Sequence, residues 1–337
     1  MRRSTYIIAE LSANHGHKLE NALASVRAAK AAGADVIKIQ TYTADTITLD
    51  CDSADFQVKS GTLWDGTTLY QLYKQAYTPW EWHQAIFDEA KKIGIDCFST
   101  PFDKTAVDFL EELGNPIYKI ASFEITDIPL IEYAASKHKP MVISTGIATP
   151  EDIQLALDAC HRVGNYDITL LHCVSAYPAP LEDVNLHTMM DMAERYGVRV
   201  GLSDHTMGSD VAIAAVALGA SMIEKHFILD RTIGGPDAAF SMQQDEFASM
   251  VQSIRNVEKA LGSVAYKTNP ATIKGREFSR SLYVAEDMKA GDIITEQNVR
   301  SVRPGYGLAP KFLPEILGKR VNRDLKKGDR MILEYIN

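Results

Sequence analysis

Two short apolar runs, residues 198–203 and 222–227, end in histidines, His205 and His226, with a small-residue helical stretch between them. If these runs are neighbouring parallel strands, about 4.8 Å apart, the two imidazoles can converge on one ion. Two imidazoles plus substrate and water oxygens suit a divalent metal with open positions. A closed tetrahedral zinc site is disfavoured, since no third or fourth Cys or His lies close by. A lone histidine after a strand is commonly a hydrogen-bonded structural residue, and the remaining histidines read that way. His17, His83, His138, His161 and His187 fall in helices or loops as surface or satisfied residues; His172 sits inside a strand as a core or supporting one.

Charged groups occupy other apolar runs at the same end. Glu10 ends the first run, with Asn14 and His15 after it. Lys38 and Gln40 share a face of the second, because strand side chains alternate. Lys119 and Ser122 lie in the fourth, with Glu124 following, Ser144 and Thr145 end the fifth, and Ser175 and Tyr177 follow the sixth. Ser203 and Asp204 end the seventh, and Glu224 and His226 share a face of the eighth. Burying so many charges without function is costly. Lys38, Lys119, Ser122, Ser144 and Ser203 offer positive charge and hydroxyl donors to a small phosphate-and-carboxylate molecule. Glu10 and Glu124 can bind sugar hydroxyls or move protons.

The elements that must position them read as eight strands, residues 5–11, 35–41, 96–100, 117–122, 141–145, 168–174, 198–203 and 222–227, alternating with helical patterns such as 79–93 and 244–261. Several helices stop at glycine, the usual left-handed cap. Eight such units in residues 1–262 predict an α/β fold, a parallel (β/α)8 TIM barrel, with active groups at the C-terminal strand ends. A doubly wound sheet would place a Gly-rich phosphate turn after an early strand, and none follows Ile8 or Gln40. The long 42–77 connection, with GTLWDGTTLY, is expected to fold over the barrel mouth. Residues 263–280 read as a polar linker. Residues 281–337 read as a small β-rich domain of related halves, since AEDMKAGDII at 285–294 and NRDLKKGDRM at 322–331 repeat one turn motif. SVRPGYGLAP, with Arg303, lies between them.

The 337 residues are 46% hydrophobic and 23% charged, with a net charge of −9. Such a chain has no bulk affinity for nucleic acid or an anionic membrane. The cysteines, Cys51, Cys97, Cys160 and Cys173, form no C-x-x-C pair, so reduced thiols and a cytoplasmic location are expected. No signal peptide and no bilayer-spanning run is read.

The segments IIAELSANH, AAGADVIKIQTY, FSTPFD, YKIASFEI, ISTGIAT, HCVSAYPAP, GLSDHT, IEKHF and GGPDAAFS occur in this order, and over nearly its whole length the chain resembles the sialic acid synthase family. RSLYVAEDMKAGDIITEQNVRSVRPGYG resembles that family's C-terminal antifreeze-like (SAF) domain. The resemblance implies condensation of phosphoenolpyruvate with an N-acylated open-chain sugar, giving a nine-carbon 2-keto acid and phosphate. It implies that Lys38, Lys119, Ser122, Ser144 and Ser203 contact phosphoenolpyruvate, and that His205 and His226 bind Mn2+ or Mg2+. It implies that Glu10, Gln40, Tyr177 and Asp237 contact the sugar, with Glu10 also assisting catalysis. Arg303 matches an arginine that reaches a partner subunit's barrel in a swapped homodimer.

The sialic acid branch reads Asn-Ile-Tyr where this chain has Ser175, Ala176 and Tyr177. It is polar where this chain has Ala238, Ala239 and Phe240. A less polar wall fits a 6-deoxy, 4-acetamido hexose, and the branch pointers TYTADTITLD, YTPWEWH and SAYPAPLEDVNL favour 2,4-diacetamido-2,4,6-trideoxy-L-altrose. N-acetylmannosamine or the acceptor of another nonulosonic acid synthase is the alternative. A Schiff-base aldolase using Lys119 or Lys38, and a non-catalytic sugar or ice binder, are the rivals of other classes.

Overall fold

The computed structural model describes residues 4–59, 66–266 and 269–337. The chain divides into two compact units, Met1–Gly262 and Ser263–Asn337. In the first, eight strands run β1 Tyr6–Glu10, β2 Val36–Thr41, β3 Asp96–Pro101, β4 Tyr118–Ile120, β5 Met141–Ser144, β6 Ile168–Cys173, β7 Arg199–Asp204 and β8 Met222–His226. They pair in parallel in the order β3-β2-β1-β8-β7-β6-β5-β4. β3 and β4 come together at the remaining seam. There Asn115 stands in for ladder partners: its Oδ1 accepts the Ser99 N–H at 2.9 Å, and its Nδ2 donates to the Ile117 carbonyl at 2.6 Å. The expected TIM-type barrel is therefore the fold.

Eight principal helices form the outer layer: α1 Leu19–Ala31, α2 His83–Ile93, α3 Lys104–Glu112, α4 Ile128–Ala135, α5 Pro150–Arg162, α6 His187–Tyr196, α7 Asp210–Ala217 and α8 Gln244–Leu261. Local chemistry starts and stops them. Asp103 caps α3 by accepting the Thr105 and Ala106 N–H groups. Thr149 and Asp152 make a reciprocal capping box on α5. Gly94 and Gly197 end α2 and α6 in the left-handed conformation that side chains resist. The helix read over 79–93 starts later, because Trp80–Trp82 forms a tighter 3-10 turn before it.

Alternation along the strands sorts the residues into two environments. Ile7, Ala9, Ile37 and Ile39 face the helices and join the main apolar core. Ile8, Val36 and Phe98 form a separate apolar cluster with Tyr6, Ile117 and Met222. Two residues further along each strand the same face carries Glu10, Lys38, Thr100, Lys119 and Glu224, all buried. An apolar plug thus floors a charged layer.

The long connection after β2 is partly helical, with Ala44–Ile47 and Leu69–Ala76. Tyr42 meets the edges of Tyr73 and of Phe102, which follows β3, so this connection lies against the C-terminal strand ends. The GTLWD stretch lies outside the described residues.

In the second unit, the segment read as a linker holds a helix, Pro270–Arg276, capped by Asn269. Polar composition masked it, because a two-turn helix shows no usable periodicity. β9 Ser281–Val284 and β10 Val299–Val302 pair antiparallel. The two repeats bond reciprocally: Lys289 to Asp324 and Lys326 to Asp287, both at 2.8 Å. Met288 and Leu325 exchange backbone hydrogen bonds between the repeats.

All four cysteines are free thiols. Among the described residues no helix is long and apolar enough to cross a membrane.

Candidate active site

The charged layer is a connected network. Lys38 Nζ lies 2.8 Å from Glu10 Oε2 and 3.6 Å from Glu224 Oε1. Its ammonium also donates to Thr100 Oγ1 at 3.3 Å. Lys119 Nζ lies 3.9 Å from Glu224 Oε1 and donates to Ser144 Oγ at 2.7 Å. Ser203 Oγ donates to Glu224 Oε1 at 3.0 Å, and Gln40 Nε2 donates to Glu10 Oε1 at 2.9 Å. Ser122 Oγ accepts from Ser175 Oγ at 2.8 Å and from the Ile147 N–H at 3.0 Å. The folding ring thereby gathers residues from β1, β2, β3, β4, β5, β7 and β8 that are far apart in sequence.

The two carboxylates are driven apart. Burial pushes Glu10 up to about 7, with Lys38 opposing and Glu224 adding to the rise. Burial also acts to raise Glu224, but Lys119 and Lys38 outweigh it and the net shift is downward. Burial acts to lower Lys38, yet Glu10 and Glu224 hold it above its usual value. Lys119 is lowered by burial, against the pull of Glu224. Glu224 is thus the fixed anion between the lysines and Glu10 the carboxyl able to exchange a proton near neutrality. Glu124 is likewise raised by burial to about 7.

The histidines stand at the rim of this layer. The His205 and His226 rings lie 5.4 Å apart. His205 Nδ1 meets the Val174 carbonyl at 2.9 Å, which leaves its Nε2 face free. His226 Nδ1 is buried without a hydrogen-bond partner, 3.6 Å from Asp237 Oδ2. Burial lowers both imidazoles, His226 the further, with His205 the next cause. Two neutral, adjacent imidazoles with an unsatisfied ring nitrogen fit a divalent cation. Among the described residues no group of three or more His, Cys, Asp or Glu is placed to hold one. The pair would therefore leave several positions to other ligands.

The walls are aromatic. Tyr177 tilts against His205, with ring centroids 4.4 Å apart. Phe240 puts its edge to His226 at 4.9 Å and lies 5.5 Å from Tyr177. Ala238 is buried and Ala239 exposed. Arg303 lies in the second unit, exposed, just past β10.

Three residues of this site escaped a role in the sequence reading. Glu224 was visible on the face of His226 but unassigned. Thr100 looked like an ordinary strand threonine. Gly146 leaves the room that Ser122, Cys173 and Ser175 fill, since a Cβ there would collide with all three. Asp204, by contrast, points to the opposite face, where it pairs with Lys225. His83 is fully buried, bonded to Thr41 and to the Pro79 carbonyl.

Burial also lowers His15 and His83 to about 4, and lowers His172. A lowered histidine binds its proton in the unfolded chain first, so stability is lost as pH falls below about 6.5. Glu10 and Glu124, raised to about 7, act oppositely: their contribution is full below about 4.3 and is lost as pH rises from there through about 7. The metal-free histidines outnumber them. The unfolding midpoint in EDTA is expected to rise from pH 5 to pH 6.5, with a shallower rise in His83→Gln. A flat or falling midpoint in the parent chain would contradict this balance.

The NeuB family model matches residues 25–266 and the SAF domain model residues 279–329. The chain is 48% identical over 329 residues to a pseudaminic acid synthase of Campylobacter jejuni, covering 98% of this chain and 96% of that protein. It is 50% identical over 321 residues to a pseudaminic acid synthase of Helicobacter pylori, covering 95% and 94%. A crystal structure of N-acetylneuraminic acid synthetase from Leptospira borgpetersenii, in complex with citrate, superposes with a TM-score of 0.71 at 31% identity, covering 81% of this chain and 90% of that one. With a family model spanning most of its first unit and such relatives along nearly its whole length, this chain belongs to the NeuB family.

Proposed function

We propose that the chain condenses phosphoenolpyruvate with 2,4-diacetamido-2,4,6-trideoxy-L-altrose, giving pseudaminic acid and phosphate. The observation that carries this reading is the near end-to-end identity of 48% and 50% to two pseudaminic acid synthases. The buried network of two lysines, serine hydroxyls and two carboxylates supports it, since its chemistry suits a phosphate-and-carboxylate substrate.

Lys38 and Lys119, with Ser122, Ser144 and Ser203, hold phosphoenolpyruvate and keep its methylene carbon close to the aldehyde. Gln40, Tyr177 and Asp237 hold the sugar. A divalent cation, Mn2+ or Mg2+, held by His205 and His226 would supply Lewis-acid polarisation of that aldehyde. The methylene carbon bonds to the aldehyde carbon, whose oxygen takes a proton to become a hydroxyl. Water adds at the carbon bearing phosphate, giving one proton to Glu10; the C–O bond to phosphate then breaks as the new hydroxyl closes to the ketone, its proton leaving with the phosphate. Phe240 and Ala238 line the acceptor side with apolar surface, suited to a sugar lacking the 6-hydroxyl. A homodimer in which Arg303 serves the partner is part of the same proposal, and the mass in solution by light scattering checks it.

The deciding experiment is phosphate release with each candidate sugar, with and without EDTA. EDTA-sensitive release with the trideoxy diacetamido sugar and little with N-acetylmannosamine is expected. Preference for N-acetylmannosamine would overturn the role given to the 238–240 wall. Glu10 as proton acceptor also predicts that kcat/KM rises with pH through about 7. Glu10→Gln is expected to flatten that limb, and an unchanged limb would remove Glu10 from the role.

A further inference from the structure

Asp204 and Lys225 are register partners on β7 and β8, each immediately before one of the two histidines. Because side chains alternate, they turn to the face opposite the imidazoles. Their side chains are each 1% exposed, and Lys225 Nζ lies 2.7 Å from Asp204 Oδ2. The same ammonium donates to the Thr206 carbonyl. Asp204 Oδ1 accepts the Thr206 N–H at 2.9 Å and its hydroxyl at 2.7 Å. Asp204 thus accepts three hydrogen bonds and Lys225 makes two.

A buried ion pair is weak evidence for stability, since an apolar pair of similar volume commonly serves as well. An apolar pair could not, however, tie residues 204–206 to the strand that carries His226. His205 sits at the centre of that tied segment. Its ring is held by the Val174 carbonyl, and its own carbonyl accepts the Ala179 N–H at 3.0 Å. On the other side the His226 carbonyl accepts the Met242 N–H at 2.9 Å. The clamp adds a second side-chain link between the two histidine-bearing strands, beside the Ser203–Glu224 hydrogen bond, and it is the one that also reaches Thr206 on the far side of His205.

We propose that Asp204, Lys225 and Thr206 are positioning residues that set the spacing of His205 and His226 and thereby the affinity for a divalent cation. This rests on the reading that those two histidines hold the ion. Groups that orient metal ligands from behind typically change affinity 10- to 100-fold, about the range expected here.

The test is Mn2+ titration of the full chain, followed by the free-ion paramagnetic resonance signal and therefore independent of turnover. Parent protein and His226→Ala come first. Equal Mn2+ binding by the two would remove the underlying reading, whatever the clamp does. Asp204→Leu/Lys225→Met then removes both charges together and leaves no lone buried ion. It is expected to unfold within a few degrees of the parent, to bind Mn2+ about tenfold or more weakly, and to keep KM for phosphoenolpyruvate within about twofold, because Lys38 and Lys119 are untouched. A folded double variant with the parent's Mn2+ affinity would overturn the proposal. If that variant does not fold, Thr206→Val decides. It removes one hydroxyl bond to Asp204 and is expected to weaken Mn2+ binding severalfold, and unchanged binding overturns the proposal.

Discussion

His226→Ala is expected to lose at least about a thousandfold in kcat while folding normally. The size follows from several kcal/mol of charge stabilisation supplied by a Lewis acid, at about 1.4 kcal/mol per factor of ten. Folding should survive because the imidazole contributes little to it. Its Nδ1 is buried without a partner, so alanine relieves an unsatisfied polar atom. His83→Ala is the contrasting control. That ring bonds Thr41 and the Pro79 carbonyl, so its loss should lower the unfolding midpoint and leave EDTA sensitivity intact. The measurement is phosphate release in metal-stripped buffer with Mn2+ added back. If His226→Ala responds to Mn2+ as the parent does, the two-histidine site is wrong.

Lys38→Met is the second variant with a large effect, and it should damage both activity and stability. Without Lys38, Glu10 loses the cation 2.8 Å away and Glu224 loses one of its two. Breaking a buried pair by removing one partner costs about 3–5 kcal/mol. The sign with pH follows from Glu10, already raised to about 7. Losing Lys38 raises it further, so the variant is least disturbed at acid pH, where the carboxyl is protonated, and is increasingly destabilised as pH rises. Lys38→Met/Glu10→Gln should therefore recover stability at pH 8 without recovering phosphate release. If the double variant stays as unstable as the single one, Glu10 is not the group Lys38 neutralises. The same pairing argues against Lys38 as an imine-forming nucleophile, because two carboxylates hold it protonated. Borohydride with substrate should leave it unmodified.

Much of this molecule is local in origin, which is why it could be read along the chain. Strand alternation has a period of two, so Lys38 with Gln40, and Glu224 with His226, must share a face wherever those strands pair. Glycine caps and the eight-fold strand–helix rhythm depend on backbone preferences a few residues wide, and they pointed to the barrel. That Glu10, Lys38, Lys119 and Glu224 gather in one buried layer was legible for the same reason, since charged residues at the ends of apolar runs have few structural explanations.

What the tertiary structure decided depends on pairing between distant strands. Asp204 looked like a third group at the mouth beside Ser203 and His205, but register sets it opposite Lys225 on the other face. Glu10 and Glu224 are the same chemical group in similar apolar runs. Burial acts to raise both, but Glu224 has two lysines and the Ser203 hydroxyl to offset it and shifts down, whereas Glu10, with Lys38 as its one lysine and Glu224 beside it, is raised to about 7. Asn115 at the β3–β4 seam, Gly146 beneath three side chains, and the helix hidden in the polar 263–280 segment follow the same rule. Sequence pattern reports which residues share a face or a turn. Charge state, ring spacing and the choice of face at a strand's end are set by what the fold brings alongside, and that information lies in other parts of the chain.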